Sequence, residues 1–327
     1  MTKVRVGLVG TGFVAELHMY AYKRVYGVGA EVVAAVSRSD QVETFAQKHK
    51  IAQTYRDYRA LLADPAIDVV DICTPPALHA QMIIDAVRAG KHVICEKPLT
   101  GYFGRPGDPA PIGTKVPKAA MYEHVMAELK DLRAAIENSG KLFMYAEDWV
   151  YAPALAKTVE ILNATSDKIL FMKAEESHSG SHAAHAAQWS MTGGGSLIRM
   201  GCHPLAAVLY LKRIEARARS ETIGVRDVTA AVGNVAACLA PSERPFIKAN
   251  PVTGWQFVCL EEEWTRGYLQ EIQDFMECVA TGRQPLADLE TRLRNHPHPI
   301  RGILGGGGRP AHRTVMLRRA GRLAHAE

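Results

Sequence analysis

"VGLVGTGFVAELH", residues 6–18, joins an apolar run to a glycine-rich turn and then to a helical pattern. Within it, Gly10, Gly12 and Ala15 form a G-x-G-x-x-A spacing. The first glycine permits a tight turn, the second lets a diphosphate approach the backbone, and the small third residue lets helix and strand pack closely. The start of the helix offers free N–H groups to phosphate oxygens. The stretch therefore predicts a dinucleotide site between a first strand and a first helix.

Strand and helix patterns then alternate through the first half of the chain. Apolar runs at 30–37, 67–74, 91–97 and 141–147 are separated by stretches with helical spacing. Strands that are apolar throughout and separated by helices are typical of a parallel sheet covered on both faces. We therefore predict an α/β protein with an N-terminal Rossmann domain, built on a doubly wound parallel sheet, over residues 1–148.

The composition is that of an ordinary globular protein, with 327 residues, 47% of them hydrophobic and 22% charged. No apolar run is long enough to span a membrane, and the first strand leaves no room for a signal peptide. The six cysteines include no C-x-x-C pair, which is typical of reduced thiols. These features predict a cytoplasmic protein without a membrane partner.

Basic charge is concentrated at the end of the chain. Residues 291–327 contain eight arginines and one acidic residue, Glu327, whereas the other 290 residues carry 31 basic and 33 acidic groups. A nucleic-acid-binding domain usually spreads its positive charge over one face. We therefore predict no nucleic-acid partner.

The end of the second strand bears on which dinucleotide binds. An NAD site usually places a carboxylate there for the ribose 2′-hydroxyl, whereas a 2′-phosphate prefers a hydroxyl and an arginine. The sequence has Ser37, Arg38 and Ser39 at this point, with Asp40 only after them. This pattern favours NADP, with NAD as the alternative; the plainer interpretation of Arg38 is a solvated surface side chain.

Two further strand ends carry candidate groups. "CTPPALH", residues 73–79, fixes a stiff loop through Pro75 and Pro76, so that Thr74 can reach a cofactor; we interpret its histidine as structural. "CEKP", residues 95–98, ends the next predicted strand at the same edge. A lysine there can donate a hydrogen bond to a substrate hydroxyl and stabilise developing negative charge, while the preceding glutamate balances its charge.

Four motifs together resemble those of the Gfo/Idh/MocA family of oxidoreductases, which includes glucose–fructose oxidoreductase and inositol dehydrogenase. In chain order they are "VGLVGTGFVAELH", "CTPPALH", "AGKHVICEKPLT" and "GGGSLIRMGCHP". The resemblance implies a Rossmann domain followed by an α/β domain with an open, mostly antiparallel sheet. It also implies oxidation or reduction of sugars, polyols or related acids with a pyridine nucleotide.

The resemblance also implies catalytic residues. The family's E-K-P lysine takes part in catalysis and corresponds to Lys97. Its D-x-x-x-H motif supplies an aspartate and an acid/base histidine; His203 matches the histidine, but Arg199 stands in the place of the aspartate. An arginine cannot accept the imidazole proton, but it can clamp a carboxylate. The departure indicates either an acidic substrate, such as a sugar acid, or a different proton route.

The predicted site therefore has three parts. The catalytic residues are Lys97 and His203, and the same two residues with Tyr151 and Arg199 are predicted to bind substrate. The cofactor-binding residues are predicted to be Gly10, Gly12, Phe13, Val14, Ala15, Ser37, Arg38, Thr74, Pro75, Glu96 and Lys97. Asp148 and Trp149, at the predicted domain junction, are expected to line the pocket.

A histidine-rich stretch leaves a metal site open as an alternative. "EESHSGSHAAH", residues 175–185, contains His178, His182 and His185 near two glutamates, a set that can bind a divalent ion. We favour a polar strand end that lines the sugar pocket, and predict no metal.

Three segments depart from the family pattern. The Gly- and Pro-rich stretch 101–118 is either a functional loop or a mobile insertion. The second domain, assigned to substrate binding and oligomerisation over residues 149–290, has few strand signals, so its sheet is predicted to be shortened. Residues 291–327 lack periodicity, and we hypothesise that a frameshift precedes this atypical basic tail; resequencing the gene tests this.

The leading interpretation is an NAD(P)-dependent oxidoreductase acting on a secondary alcohol of a sugar, polyol or sugar acid. One alternative is a non-catalytic nucleotide-binding sensor, corepressor-like or inactive, which would bind nucleotide without turnover. Another is a redox-assisted glycosidase, which would hydrolyse a glycoside with no net change in the cofactor. Assembly into a homo-oligomer is a further expectation from the resemblance.

Overall fold

A six-stranded parallel sheet organises the first half of the chain. The computed structural model describes residues 3–165, 169, 171–176, 184–218, 246–248, 255–257 and 266–288. The strands lie in the order β3-β2-β1-β4-β5-β6, which is the order of a doubly wound dinucleotide-binding sheet. They are β1 (Lys3–Val9), β2 (Gly29–Val36), β3 (Gln53–Tyr55), β4 (Val69–Ile72), β5 (His92–Glu96) and β6 (Phe143–Ala146). The predicted Rossmann fold is confirmed.

Helices cover both faces of this sheet. They are α1 (Phe13–Tyr22), α2 (Gln41–His49), α3 (Tyr58–Ala63), α4 (His79–Arg88), α5 (Ile112–Lys115) and α6 (Lys118–Ser139). Buried residues of α1 and α2 share one apolar cluster, and those of α3, α4 and α6 share a second. Side chains of a strand alternate between the faces, so Ile94 belongs to the first cluster and Val93 and Cys95 to the second.

Strand β1 is covered on both edges and both faces. Val6 and Leu8 of β1 are fully buried, because β1 has sheet neighbours on both edges and helices on both faces. Truncating such a residue removes apolar contacts and leaves a cavity, so Leu8→Ala is expected to cost about 2–5 kcal/mol of unfolding free energy.

The edge strand β3 and helix α3 were not predicted. The three residues of β3, Gln53–Tyr55, are exposed or half-buried, so no apolar run marks them. Helix α3 begins after Asp57, whose side chain accepts a hydrogen bond from the N–H of Arg59 (3.0 Å). An N-cap and six residues are too short a pattern to distinguish from a turn.

The second half adds helices that pack against the Rossmann sheet. They are α7 (Pro153–Thr165), α8 (Trp189–Thr192), α9 (Gly195–Arg199), α10 (Cys202–Ala218) and α11 (Tyr268–Thr281). Ile272, Phe275 and Met276 of α11 belong to the same apolar cluster as Met19 of α1. The last described helix therefore closes one face of the first sheet.

Strands are sparse in the described part of this half. Strands β7 (Phe246–Lys248) and β8 (Trp255–Phe257) form an antiparallel pair. Residues 171–175, which lead into the histidine-rich stretch interpreted as a polar strand end, form no strand. His178, His182 and the basic tail lie outside the described residues, as does the side chain of His185. The domain boundaries at 148 and 290 stay a prediction.

The segment 101–118 is packed against α8. The N–H of Tyr102 donates to the carbonyl of Gly193 (2.8 Å), and the indole of Trp189 donates to the carbonyl of Tyr102 (2.8 Å). A Cβ at Gly101 would lie 2.6 Å from the Gly193 carbonyl oxygen, so only glycine permits this approach. The contact fixes the chain after β5 to the glycine run 193–195.

No helix among the described residues is long and apolar enough to cross a membrane.

Candidate active site

The carboxyl ends of five strands form one edge. Across the sheet, Val36, Val9, Ile72, Cys95 and Tyr145 are register partners, each paired with the next. The residues that follow them therefore emerge side by side. In such sheets ligands bind in the crevice beyond this edge. The glycine turn, the proline loop and the E-K-P motif all start there.

The glycine turn has the geometry that a diphosphate needs. Gly10 has φ +100°, and a Cβ there would lie 2.5 Å from the carbonyl oxygen of Cys73, so no other residue fits. A Cβ at Gly12 would meet no atom within 4 Å and would project into open space above the start of α1. Gly12 caps α1 without a side-chain hydrogen bond, so the first N–H groups remain available to an anion. Phe13 is 78% exposed beside this space, and Ala15 is buried beneath it.

The end of β2 leaves one basic group available. Arg38 is exposed, and within the described ranges its guanidinium has no ion pair or hydrogen bond. Asp40 forms an ion pair with Arg56, in which a guanidinium nitrogen lies 3.0 Å from a carboxylate oxygen. The hydroxyl of Ser37 accepts a hydrogen bond from the N–H of Ser39 (3.2 Å). The arrangement offers a cation and hydroxyls, and it directs the nearest carboxylate to another partner.

The proline loop has a structural role for its histidine. His79 is fully buried, with Nδ1 2.9 Å from the carbonyl oxygen of Pro98 and Nε2 2.8 Å from that of Thr74. His79 therefore connects the loop after β4 to the loop after β5. These contacts are consistent with the structural role that the sequence analysis gave it. Thr74 and Pro75 remain half-exposed at the edge.

Glu96 and Lys97 end β5 at the centre of this edge. One carboxylate oxygen of Glu96 accepts a hydrogen bond from the Lys97 N–H (3.0 Å), and the other lies 3.2 Å from Nε2 of His18. The Lys97 ammonium donates to the carbonyl of Arg199 (3.1 Å). Burial lowers the pKa of Lys97, but Cys202 and Glu96 outweigh this effect and raise the pKa above its ordinary value. The ammonium is therefore charged at neutral pH.

His18 lies beneath the E-K-P motif as a buried cation. Its Nδ1 is 2.8 Å from Asp71, which also accepts a hydrogen bond from the Tyr22 hydroxyl (2.9 Å). Burial lowers the pKa of His18, but Asp71 and Cys73 outweigh it, so the pKa lies well above its ordinary value. Both ring nitrogens face carboxylates, which makes His18 the charge that compensates two buried acids.

His203 is the second residue of α10 and is 1% exposed. Its Nδ1 forms a short hydrogen bond with Glu147 and lies 3.3 Å from Asp148. The indole of Trp149 stacks on the imidazole, with ring centroids 5.5 Å apart and planes at 14°. Burial lowers the pKa of His203, but Glu147 and Asp148 raise it more, and the pKa lies above its ordinary value.

Lys97 and His203 are brought to the same place. The Arg199 carbonyl that binds the Lys97 ammonium also accepts a hydrogen bond from the Cys202 thiol (3.4 Å), and Cys202 precedes His203. The Lys97 charge is close enough to lower the pKa of His203. An ammonium and an imidazole therefore lie near each other at the strand ends.

Arg199 ends α9 beside these groups. Within the described part of the chain its guanidinium has no ion pair or hydrogen bond. A guanidinium at this position is available for a bidentate contact with a carboxylate.

The described contacts differ from the predicted site at Tyr151 and at Glu147. Tyr151 was predicted to bind substrate, but its hydroxyl donates to Asp274 (2.7 Å) and accepts from the N–H of Ala287 (3.0 Å), so the side chain is committed to α11 and its neighbours. We do not retain it in the site. Glu147 was overlooked, although it directly follows β6; the strand-end rule that identified Lys97 would have identified it.

Among the described residues, two groups of side chains have donor atoms that lie within 4.8 Å of one another, as a metal site requires: His18, Asp71 and Cys73, and Glu147, Cys202 and His203. The raised pKa of His18 favours the protonated ring, which cannot bind a metal. In the second group the Lys97 ammonium repels a cation. We therefore keep the prediction of no metal as a prediction.

Known proteins resemble this chain in its first domain and its fold. The uncharacterized oxidoreductase YrbE of Bacillus subtilis (strain 168) is 39% identical over 101 residues, which is 31% of this chain and 29% of YrbE. Levoglucosan dehydrogenase of Pseudarthrobacter phenanthrenivorans is 37% identical over 106 residues, or 30% of this chain and 27% of the enzyme. The matched segment thus spans less than a third of these relatives.

A solved structure and a family model extend the comparison. The crystal structure of GenD2 from gentamicin A biosynthesis, in complex with NAD, shares the fold with a TM-score of 0.66 and 16% identity, covering 94% of this chain and 96% of GenD2. The Gfo/Idh/MocA model, described as an oxidoreductase family with an NAD-binding Rossmann fold, matches residues 4–104. Residues 4–104, which contain the first three of the four motifs, therefore match the NAD-binding Rossmann part of this oxidoreductase family.

Proposed function

We propose that the protein is an NADP-preferring oxidoreductase that interconverts a secondary alcohol of a sugar, polyol or sugar acid and the corresponding ketone. The observation that carries the proposal is the convergence of Lys97 and His203 at the strand ends, in the crevice that begins at a glycine turn fitted to a diphosphate. Levoglucosan dehydrogenase, whose name states a sugar-derived substrate, supports this substrate class.

The residues of the chain account for the proton and the developing charge. When bound, the nicotinamide cofactor supplies the acceptor for the carbinol hydrogen, which leaves as hydride. The Lys97 ammonium donates a hydrogen bond to the substrate oxygen and stabilises it as negative charge develops. His203 accepts the hydroxyl proton at Nε2, because its Nδ1 is already held by carboxylates. In the reverse direction the same imidazole returns the proton.

An absorbance assay of NADPH formation over a panel of sugars, polyols and sugar acids tests this function. Lys97→Ala and His203→Ala should each lower kcat/KM by about 10²–10⁴-fold, the usual contribution of a positioned acid, base or charge. Lys157→Ala, which removes an exposed lysine paired with Glu160 on α7, is the matched control. Wild-type activity in both active-site variants excludes the proposed roles, and tight nucleotide binding without turnover of any compound would favour a sensor.

The preference for NADP rests on Arg38. Its guanidinium has no partner in the part of the chain that the structure describes, and beside the hydroxyls of Ser37 and Ser39 it suits a 2′-phosphate better than a ribose hydroxyl. A charge-assisted contact of this kind is worth about 1.5–3 kcal/mol, so Arg38→Ala should weaken NADP⁺ binding by roughly 10- to 100-fold and leave NAD⁺ binding nearly unchanged. Equal losses for both nucleotides would contradict the preference.

The proposal that sugar acids are among the substrates depends on Arg199. If the guanidinium clamps a substrate carboxylate, Arg199→Gln raises KM for a sugar acid and leaves KM for the matching neutral sugar unchanged. Comparing gluconate with glucose, or an equivalent pair that the panel identifies, separates the two outcomes. Equal changes for both members of the pair would place the carboxylate elsewhere.

We also infer a reducing compartment. The four described cysteines, Cys73, Cys95, Cys202 and Cys278, form no disulfide, which is what a cytoplasmic location requires. Fractionation of the native source would test this. Homo-oligomer formation stays a prediction, to be measured by light scattering.

A further inference from the structure

The imidazole of His203 lacks the carboxylate that the D-x-x-x-H spacing would place four residues before it, because Arg199 stands there. A histidine that moves protons works best when one ring nitrogen is fixed by an acceptor and the other is left for the substrate. A guanidinium has no acceptor atom, so Arg199 cannot serve. The fixing group must come from another part of the fold.

Glu147 occupies the required position. It directly follows β6, is fully buried, and accepts the hydrogen bond from Nδ1 of His203 across 56 residues of sequence. No hydrogen bond to Nε2 exists within the described ranges, so the two sides of the ring differ. Trp149 stacks on the ring and limits its rotation. Together these contacts define both the tautomer and the plane of the imidazole.

Asp148 is the competing acceptor, and the geometry ranks it second. Its nearer oxygen lies 3.3 Å from Nδ1, beyond the usual length of a charge-assisted hydrogen bond. Its other oxygen is buried without a hydrogen-bond partner. Burial raises the pKa of Asp148 to about 6, so part of this carboxyl carries a proton slightly below neutral pH.

We propose that Glu147 is the positioning residue of His203: it accepts the Nδ1–H and leaves Nε2 directed to the substrate, in place of the aspartate that Arg199 has replaced. The proposal rests on the proposed function only in its second half, the use of Nε2 as the base. The carboxylate has moved from the helix of the histidine to the end of β6, which frees position 199 for a guanidinium.

Histidine ¹⁵N NMR of the full-length chain tests the contact without a substrate. Of the 13 histidines, the His203 signal is assigned by its loss in His203→Gln. The wild type should show an exchange-protected, downfield Nδ1–H. In Glu147→Gln the titration midpoint of His203 should fall by about 1 unit or more, because an opposite charge in contact is removed. The charged and titratable groups that face the ring are Glu147, Asp148, Lys97 and Cys202, so Asp148→Asn is measured beside it and should produce the smaller fall.

A matched control separates this effect from general loss of a buried acid. Glu271 of α11 is also a fully buried carboxyl, but no hydrogen bond joins it to His203, so Glu271→Gln should leave the His203 midpoint unchanged. Glu147→Asp keeps the charge and should retain most of the wild-type midpoint. Lack of a protected Nδ1–H in the wild type, or an unchanged midpoint in Glu147→Gln, would overturn the proposal even if other variants fail to fold.

Kinetics then distinguish failure of the positioning role from failure of the proposed function. In the alcohol-oxidation direction Glu147→Gln should lower kcat by roughly 10²–10⁴-fold with little change in KM or in NADP⁺ affinity. It should also move the acid limb of the pH profile to lower pH, which a purely structural role would not do. Turnover with an unshifted limb refutes the positioning role alone; a shifted NMR midpoint with no turnover in the wild type refutes the function alone.

Discussion

Two buried histidines, His18 and His203, face the same strand ends from opposite halves of the chain. His18 has a carboxylate at each ring nitrogen, Asp71 at 2.8 Å and Glu96 at 3.2 Å. His203 has both of its carboxylates at Nδ1 and none at Nε2 among the described contacts. Burial lowers the pKa of both histidines, but neighbouring acidic groups outweigh this effect and raise both pKa values. Only His203 has a ring nitrogen, Nε2, that faces no carboxylate among the described residues. Raised pKa alone therefore does not identify a catalytic histidine; the distribution of partners does.

The largest expected difference between the two histidines is in activity. His203→Gln should lower kcat by about 10²–10⁴-fold, because it removes the base and leaves the nucleotide contacts in place. His203→Gln should lower the unfolding free energy, measured by urea denaturation, by less than His18→Gln does. Full activity in His203→Gln would remove the functional half of the comparison.

His18→Gln should have the largest effect on stability. Removing the cation leaves Asp71 and Glu96 buried without their compensating charge, which is expected to cost about 3–5 kcal/mol. Tyr22→Phe is the matched control, because it removes a single hydrogen bond to Asp71 and should cost about 1 kcal/mol. Similar costs for the two variants would show that His18 is not the compensating charge.

The pH dependence of stability sharpens this result. The pKa of folded His18 lies well above the ordinary value of 6.5, so the folded state holds its proton more tightly than the unfolded state. The stabilisation is complete below about pH 6.5 and is lost as the pH rises through the folded pKa. The gap in Tm between wild type and His18→Gln should therefore narrow from pH 6 to pH 9. A gap that widens would contradict a buried imidazolium.

Glu271 gives a smaller effect of the same kind. It is fully buried on α11, neither oxygen has a hydrogen-bond partner in the described structure, and burial raises its pKa well above the ordinary value of 4.5. The unfolded chain ionises above pH 4.5 while the folded chain keeps the proton, so this group loses stability as the pH rises. Glu271→Met should raise the unfolding free energy by about 1–3 kcal/mol at pH 8 and by less at pH 5. A larger gain at pH 5 would show that the carboxyl is charged in the fold.

The sequence was sufficient for groups that the strand-end rule places. Gly10, Gly12 and Lys97 follow apolar runs, and the register of Val9, Ile72 and Cys95 shows that these runs end at one edge of a parallel sheet. The roles of the three residues stay predictions. Short polar strand β3 gave no such signal.

Side-chain contacts between residues far apart in the chain could not be predicted from the sequence. The contact between His18 and Glu96 joins residues 78 apart, and that between Glu147 and His203 joins residues 56 apart. Tyr151 was misplaced because the short helix Asp148–Tyr151 turns its hydroxyl toward Asp274 of α11, which no local pattern indicates. Partner choice depends on packing between distant helices, so sequence spacing alone does not determine it.

The convergence of Lys97 and His203 is tested most directly by a crystal structure of the chain with NADP⁺ and an active alcohol from the panel. The account predicts that the Lys97 ammonium and Nε2 of His203 both lie within about 3 Å of the substrate hydroxyl oxygen, on one face of the nicotinamide. If Nε2 is bonded to a protein group and the hydroxyl is met by other residues, the central claim is contradicted.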